Sequence, residues 1–313
     1  PDIDKLEIVD SQTWQHPVKK FWARSRLLKK LKPENFDTVF ILQGPTPFNF
    51  WEDFAKKLGA KNRIGYRKKD SNSSFTVSVE LPEYQDHLFK ALNKNRAEHY
   101  LDLLRAAGVN DTTNKGNKLY WKRTDTDADY ANSFFRKHNL HGKVVAIAPG
   151  GAANPGMKQF AKRWPLKNYA KLARELIANN YMVLLIGGPS DKEINRQLIE
   201  VLPSEMQPAV INSAGETNIH QSAALIEKSD LFIGNDSGPL HIASTTKTPI
   251  VGIFGPTNPT VDGPYKLNGK ILFHKTVNSP CYTLDCHGHT PCIENVTVSE
   301  LLSATKKYLQ DTK

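Results

Sequence analysis

A cluster of polar residues lies between two short apolar runs near the C-terminal end of the chain. The stretch DLFIGNDSGPLHIASTTKTPIVGIF contains Asp236, Ser237, Gly238 and His241. Carboxylates bind hydroxyl groups, whereas a helix N-terminus offers free amides and a positive dipole end to an anion. The spacing therefore predicts a phosphate site with a carboxylate beside it for hydroxyls. In the structural alternative, Asp236 and Ser237 are helix caps and His241 is a hydrogen-bonded core histidine.

The elements around this cluster follow from the apolar runs and from one proline. Residues 231–233 predict a buried strand that stops at Gly234. Pro239 suits the first turn of a helix, which we expect over about 240–246, and residues 250–254 predict a second buried strand. The cluster then lies in the turn at the carboxyl end of a strand, where ligands bind in open α/β sheets.

Two further loops are predicted at the same edge of the sheet. In PGGAANPGMKQFAKRWP, Gly150 and Gly151 let the backbone approach a ligand, and Lys162 lies just before a helix. The loop matches neither a Walker A sequence nor a dinucleotide fingerprint. In GGPSDKE, Glu193 suits either ribose hydroxyls or the N-terminus of its own helix. Three such loops at one sheet edge predict a nucleotide-type ligand.

Strands and helices alternate from about residue 142 onward, which predicts a parallel sheet covered on both faces, a doubly wound α/β domain. The predicted strands are 144–148, 182–186 and 209–211, and the predicted helices are 164–180, 192–202, 219–228 and a terminal helix from Thr297 with a Thr297–Glu300 capping box.

The N-terminal part is also predicted to be α/β, although its strand order stays open. It has strands at 38–42 and 62–67 and helices at 49–59 and 92–109. At 313 residues, two domains are expected, here 1–140 and 141–313. The last helix is assigned to the C-terminal domain, with packing back on the N-terminal domain as the alternative.

The charge balance predicts an acidic partner. The chain has a formal net charge of +10, with 39% hydrophobic and 24% charged residues. Its three cysteines, an odd number, argue against a disulfide framework. Residues 16–33 carry seven Lys or Arg residues among apolar ones and predict an amphipathic helix. Its face is either simply solvated or in contact with an acidic acceptor or membrane, through Lys19, Lys20, Arg24, Lys29 and Lys30. Since no nucleic-acid-binding motif accompanies this charge, nucleic acid is not an expected partner.

A short loop near the C-terminus, SPCYTLDCHGHTPC, concentrates metal-binding residue types. It contains Cys281, Cys286 and Cys292 with His287 and His289. Thiolates and imidazoles bind zinc or iron, but the cysteine spacing matches no standard zinc ribbon. We therefore expect no metal here, with a structural site on the three cysteines and His287 as the alternative.

Several stretches resemble one known family. RWPLKNYAKLARELI, LLIGGPSDKE and GNDSGPLHIASTTKTPIVGIFGPTNP are similar to the ADP-heptose:lipopolysaccharide heptosyltransferases of glycosyltransferase family 9. The D-S-G-x-x-H segment followed by F-G-P-T is the most specific part. The resemblance runs over the whole chain, most closely from residue 144 onward. It implies the GT-B architecture, with two facing Rossmann-like doubly wound domains.

The resemblance also implies an activity. Heptose is moved from ADP-heptose to the inner core of lipopolysaccharide, with inversion at the anomeric carbon, no cofactor and no catalytic metal. The expected acceptor is an acidic precursor of the Kdo–lipid A type. The expected location is cytoplasmic, peripheral on the inner face of the inner membrane.

Residue by residue, the resemblance assigns roles to the loops. Asp236 contacts the sugar, Gly238 and nearby amides bind the diphosphate, and Lys162 neutralises phosphate charge as ADP leaves. Glu193 matches the ribose-binding acid, and His241 has an orienting role. Ala152 and Ala153 stand where relatives often carry hydroxyl residues.

The chain departs from the family pattern at its start. The family has an early strand followed by a loop with a Gly-Asp pair, whose aspartate is the expected general base. This chain opens with PDIDKLEIVD, in which Asp2, Asp4 and Asp10 do not match that motif. We therefore expect a fragment with an incomplete N-terminal domain, so that the chain binds the donor weakly and transfers little; in the alternative, the base comes from elsewhere. The alternatives are another nucleotide-sugar enzyme of GT-B architecture, or a nucleotide-binding or membrane-surface module without catalysis.

Overall fold

The structure is a computed structural model that describes residues 17–42, 50–69, 71–81, 93–109, 119, 121–151, 153–154, 157–282, 286 and 291–310. The chain divides into two compact units, Pro1–Asn114 and Lys115–Lys313.

The N-terminal unit is built on a three-stranded parallel sheet in the order β1-β2-β3. Its elements are α1 (Pro17–Leu31), β1 (Thr38–Phe40), α2 (Phe50–Leu58), β2 (Asn62–Lys68), β3 (Val77–Leu81) and α3 (Arg96–Ala106). Phe54 from α2, Ile64 from β2 and Leu103 from α3 are buried. The apolar residues of two helices thus cover the sheet, as the helical spacing in the sequence predicts.

The C-terminal unit contains a six-stranded parallel sheet and a short antiparallel hairpin. Its strands are β4 (Val144–Ala148), β5 (Ala153–Asn154), β6 (Met157–Lys158), β7 (Met182–Leu185), β8 (Val210–Asn212), β9 (Leu231–Asn235), β10 (Ile250–Phe254) and β11 (Gly269–Phe273). Its helices are α4 (Asp125–Lys137), α5 (Leu166–Ala178), α6 (Lys192–Glu200), α7 (Ile219–Lys228), α8 (Gly238–Ala243), α9 (Pro259–Asp262) and α10 (Val298–Gln310).

The order of the large sheet is β11-β10-β9-β4-β7-β8, and each neighbouring pair is parallel. From β4 the chain builds outward through β7 to β8, then crosses back to β9 and builds outward through β10 to β11. The direction of winding therefore reverses between β4 and β9. A doubly wound sheet binds ligands at such a switch point, outside the carboxyl ends of the strands.

The core of this unit lies on both faces of the sheet, because side chains alternate along each strand. Val145, Ile147 and Ile233 pack on the face covered by α5 and α10. Ala146 and Phe232 belong to the opposite face, which α4, α7 and α8 cover. A sheet buried on both sides explains why these strands read as continuous apolar runs.

The predicted fold class, α/β with parallel sheets, is confirmed. The bounds of β4, α7 and β10 are those predicted, and the terminal helix forms over Val298–Gln310. In that helix, Leu301 and Leu309 lie in the core of the C-terminal unit. Half of the predicted capping box is present: Thr297 accepts a hydrogen bond from the Glu300 amide, while the Glu300 carboxylate contacts His274.

Six elements are absent from the predicted set: β3, α4, β5, β6, α9 and β11. Helix α4 packs against α7, with Phe134 and Phe135 buried in the core. The compact C-terminal unit therefore extends to Lys115, N-terminal to the boundary predicted at 140. Strand β11 is an edge strand with a mostly half-buried pattern, which leaves a weak apolar signal in the sequence.

Candidate functional site

Asp236 is the centre of the predicted cluster and directly follows β9. Its side chain is only 6% exposed. Lys162 Nζ lies 2.9 Å from Asp236 Oδ2, and the Thr257 hydroxyl donates to the same oxygen at 2.8 Å. His241 Nε2 lies 3.7 Å from Oδ1. Residues from three separate segments thus meet at one buried carboxylate, at the switch point of the sheet.

Asp236 is held in its charged form by these neighbours. Burial acts to raise the pKa of its carboxyl, but the nearby His241, the charge and hydrogen bond of Lys162, and the hydrogen bond from Thr257 together lower it below the usual value. A carboxylate of this kind accepts hydrogen bonds from hydroxyl groups at neutral pH.

The glycine loop after β4 passes close to the same cluster. Gly151 has φ of +81°, and a Cβ built on it would lie 2.6 Å from the Ser237 Cβ. Both its backbone conformation and its surroundings therefore require glycine. The Gly151 carbonyl accepts from Arg163 Nε at 2.9 Å. The structure thus brings together the first two predicted loops.

Asp191 connects the glycine loop to the third loop. Its Oδ1 accepts from the Gly151 amide and its Oδ2 from the Gly188 amide, each at 2.9 Å. A Cβ on Gly150 would lie 2.3 Å from Asp191 Oδ1. In this loop the sequence predicts a ligand role for Glu193 alone, and the bridging role of Asp191 emerges from the structure.

Ser237 and Gly238 begin helix α8. Ser237 is buried, and its hydroxyl donates to the Asn235 carbonyl at 3.2 Å. Gly238 differs from Gly151, since a Cβ on it would meet no atom of the described residues within 4 Å. The space beside Gly238 is thus open at the edge of the sheet, whereas Ser237 is packed against the glycine loop.

Glu193 lies in the first turn of α6 and points to its own helix. Its carboxylate is 2.7 Å from Arg196 Nη2 and accepts from Gln197 Nε2 at 2.8 Å. These hydrogen bonds lower the pKa of Glu193. The structural alternative given by the sequence, a carboxylate serving its own helix, describes these contacts, and the ribose-binding role stays a prediction.

The basic helix α1 presents some of its predicted cations to solvent. Lys29 and Lys30 are exposed, whereas Arg24 forms an ion pair with Asp53 of α2. Lys19 lies within α1, but its side chain, like that of Lys20, is outside the described residues. The acceptor or membrane role of this helix stays a prediction.

The cysteine loop is only partly described. Cys281, Cys286 and Cys292 are thiols, while His287 and His289 lie outside the described residues. Burial, together with the nearby Cys281 and Cys286, raises the pKa of Cys292 to about 11. Within the described ranges, no group of three or more His, Cys, Asp or Glu residues is arranged to hold a metal ion.

The structure does not test the prediction for Ala152 and Ala153. Ala152 lies outside the described residues, and for Ala153 the structure gives the backbone of β5 alone.

Among the described residues, none of the helices combines the length and the apolar character needed to cross a bilayer.

Comparisons of the sequence with known proteins find heptosyltransferases. The family model of glycosyltransferase family 9 (heptosyltransferase) matches residues 24–289. A lipooligosaccharide heptosyltransferase 2 of Haemophilus influenzae is 36% identical over 270 residues, which cover 82% of this chain and 71% of that protein. A lipopolysaccharide heptosyltransferase 2 of Escherichia coli is 33% identical over 260 residues, which cover 82% and 70%.

Solved structures show the same fold. A family 9 glycosyl transferase of Veillonella parvula aligns with a TM-score of 0.74 at 22% identity and covers 100% of this chain and 84% of its own. The ADP-heptose lps heptosyltransferase II of E. coli aligns with a TM-score of 0.66 at 23% identity, covering 93% and 82%. The family match spans most of the sequence, and Asp236 and the glycine loop lie together where a doubly wound sheet binds its ligand. The chain therefore belongs to glycosyltransferase family 9, the heptosyltransferase family.

Proposed function

We propose that this glycosyltransferase moves a heptose from ADP-heptose to the inner core of an acidic lipopolysaccharide precursor, with inversion at the anomeric carbon. The names of its relatives, heptosyltransferases of lipopolysaccharide and lipooligosaccharide, support the sugar and the acceptor class. The observation that carries the proposal is the buried carboxylate of Asp236 in contact with Lys162 at the switch point of the sheet.

The roles of the residues follow from their chemistry. The Asp236 carboxylate accepts hydrogen bonds from heptose hydroxyls, and His241 beside Oδ1 orients it. The open space at Gly238 leaves room for the diphosphate beside backbone amides, while Gly151 packs against Ser237 at the side of this space. Lys162 then stabilises the charge that develops on the diphosphate as the bond to the sugar breaks. Gly150 and Ser237 complete the wall of this site.

We also propose that the reaction uses no catalytic metal ion. Transfer from a nucleotide sugar needs a positive charge near the leaving diphosphate, which a divalent cation supplies in a metal-dependent enzyme. Lys162, whose ammonium group is held 2.9 Å from Asp236 Oδ2, is a fixed cation at the same site. Excess EDTA is therefore expected to leave donor binding and any transfer unchanged, whereas a metal-dependent reaction would stop.

The adenosine end of the donor is assigned to the third loop. We propose that Glu193 binds ribose hydroxyls, as the family resemblance implies. Because its carboxylate contacts Arg196 and Gln197, binding requires an exchange of hydrogen bonds on the surface of α6. Such exposed pairs contribute little to stability, so the exchange costs little.

The acceptor is proposed to reach the enzyme at the cytoplasmic surface of the inner membrane, through helix α1. Trp22 is 70% exposed, and Arg26, Lys29 and Lys30 are also exposed. Their spacing of four, seven and eight residues from Trp22 places all four on one helical face. An exposed tryptophan among cations is typical of a helix that lies in the interface of an anionic membrane. Arg24, which pairs with Asp53, is not part of this face.

The test is calorimetric titration of the chain with ADP, ADP-heptose and UDP-sugars, repeated on Asp236→Ala. We expect ADP-heptose to bind more tightly than ADP, and this difference to disappear in the variant, because Asp236 contacts the sugar. Tighter binding of UDP-sugars would favour a different nucleotide-sugar enzyme. The absence of adenine-nucleotide binding to the wild type would refute the heptose assignment.

A further inference from the structure

Asn235 is a fully buried polar residue next to Asp236, and the family resemblance assigns it no role. It is the last residue of β9 and is 0% exposed. A buried amide without partners would be strongly destabilising, so each of its hydrogen-bonding groups needs a partner. Its hydrogen-bond partners lie far away in the sequence, so Asn235 connects separate segments of the chain.

The amide oxygen of Asn235 holds the segment that contains Lys162. Oδ1 accepts from the Trp164 backbone amide at 3.0 Å and from the Tyr169 hydroxyl at 2.9 Å. Burial raises the pKa of Tyr169, so its phenol stays a proton donor at neutral pH. Trp164 is two residues after Lys162, and its buried ring packs edge-on against the Tyr169 ring.

The amide nitrogen of Asn235 holds the glycine loop. Nδ2 donates to the Pro149 carbonyl at 3.1 Å and to the Gly150 carbonyl at 3.3 Å. Two donors and two acceptor positions are the whole hydrogen-bonding capacity of an asparagine side chain, and Asn235 uses all of it. Because a backbone amide can only donate and a carbonyl can only accept, these partners also determine which way the amide faces.

We propose that Asn235 is the positioning residue of the donor site, holding the Lys162 segment and the glycine loop at a fixed place beside Asp236. The role of Asn235 in donor binding rests on the proposed function. Its hydrogen bonds to the two segments do not depend on that function. Preorganised charges act on a reacting group only if they stay in place. The residue before Asp236 therefore connects the Lys162 segment and the glycine loop to the strand that carries Asp236.

Only an amide fits this position among side chains of similar size. Aspartate would bring a negative oxygen against the carbonyls of Pro149 and Gly150, and leucine would leave these carbonyls and the Tyr169 hydroxyl without partners. Asn235→Asp is expected to disturb the site most strongly. Tyr169→Phe is the milder variant, because it removes a single hydrogen bond and leaves the packing of the ring unchanged.

The experiment compares Tyr169→Phe and Asn235→Asp with the control Thr305→Val. Thr305 is also fully buried and donates its hydroxyl to the Leu301 carbonyl, within helix α10. Urea unfolding measures the stability of each variant, and calorimetry measures its affinity for ADP. We expect Tyr169→Phe to weaken ADP binding by about two- to tenfold, the range for one hydrogen bond. Thr305→Val should lose stability but bind ADP normally.

A second readout needs no ligand. The pKa of the Asp236 carboxyl, measured by carbon NMR, depends on Lys162, His241 and Thr257, which face it. If Asn235 positions Lys162, this pKa rises in Tyr169→Phe, which adds no charge near Asp236, and stays unchanged in Thr305→Val. An unchanged pKa in Tyr169→Phe despite lower stability would overturn the positioning role. If the wild type binds no ADP, the proposed function fails, and this pKa still decides the role of Asn235.

Discussion

Lys162 Nζ lies 2.9 Å from Asp236 Oδ2, so two residues assigned to different parts of the donor are in direct contact. One is assigned to the diphosphate and the other to the sugar. The bond between those two parts of the donor is the one that breaks in the transfer. With these assignments, the contact between the two side chains lies beside the bond that breaks.

Replacement of Lys162 by methionine is expected to destabilise the protein and to weaken ADP binding. The change leaves a buried carboxylate without its cation, and breaking a buried ion pair from one side costs about 3–5 kcal/mol. Urea unfolding and calorimetry with ADP measure the two effects. Lys171→Met, at an exposed position of α5, is the matched control and should change neither. Equal behaviour of the two variants would contradict a role for the Lys162 charge.

Thr257→Val is expected to remove a hydrogen bond from Asp236 while keeping the shape of the side chain. A hydrogen bond to a charged group contributes about 1.5–3 kcal/mol, so the free energy of unfolding should fall by this order. The pKa of Asp236 should rise toward its usual value. In the control Thr248→Val, the equally buried hydroxyl donates to the neutral Ile226 carbonyl. The prediction fails if the Asp236 pKa responds equally to both changes.

The stability of the C-terminal unit is expected to depend on the charge of Asp236 at acid pH. Its pKa is lowered in the folded protein, so its contribution is present above the unfolded value and is lost as the pH falls through the folded value. Between neutral pH and about pH 4, the ordinary aspartate value, this contribution stays constant. Below about pH 4 the wild type loses this contribution to its free energy of unfolding, whereas Asp236→Asn has no carboxylate at this position and therefore no such contribution to lose. The urea midpoints of the wild type and of Asp236→Asn, measured against pH, test this prediction. If Asp236 makes no such contribution, the two midpoints change in parallel as the pH falls.

Gly151→Ala is expected to reduce ADP affinity, because the added Cβ would lie 2.6 Å from the Ser237 Cβ and push the glycine loop away from it. Gly142→Ala is a control with the same kind of backbone strain. Gly142 has φ of +64°, and a Cβ there meets no atom of the described residues within 4 Å. Both variants should lose stability, since alanine is strained at a positive φ. Only Gly151→Ala should lose ADP affinity, and an equal loss in both would rule out the close approach as its cause.

The exposed face of α1 is expected to bind anionic membranes. Vesicles containing phosphatidylglycerol should sediment with the protein, and pure phosphatidylcholine vesicles should not. Reversal of Lys29 and Lys30 to glutamate should weaken this binding by roughly tenfold or more, since each basic residue near an anionic surface contributes about 1 kcal/mol. Trp22→Ala should weaken it at any salt concentration, because its contribution is apolar. The control Lys247→Glu reverses an exposed charge in the C-terminal unit. If it weakens binding as much, α1 is not the membrane contact.

Local sequence patterns were sufficient to predict the strands that are buried on both faces of the sheet. The apolar runs of β4 and β10 and the capped helix α7 have the predicted bounds, since continuous apolar strands and helical spacing are strong local signals. Edge strand β11 and helix α4 were not predicted, because their half-buried or polar-rich patterns look like loops until they are packed. The motif also predicted that Asp236, Ser237, Gly238 and His241 lie in one turn between two buried strands.

Which of these residues meet depends on the packing of distant segments of the chain. Thr257, Asp191 and Asn235 contact residues 21, 40 and up to 86 positions away in the chain. No local pattern reports such hydrogen bonds, because they depend on the order of the strands in the sheet. The same order decided that Lys162 contacts Asp236: β4 and β9 lie side by side at the switch point, although more than eighty residues separate them. Local sequence thus predicts the elements with strong apolar patterns, and the pairing of distant strands determines the site.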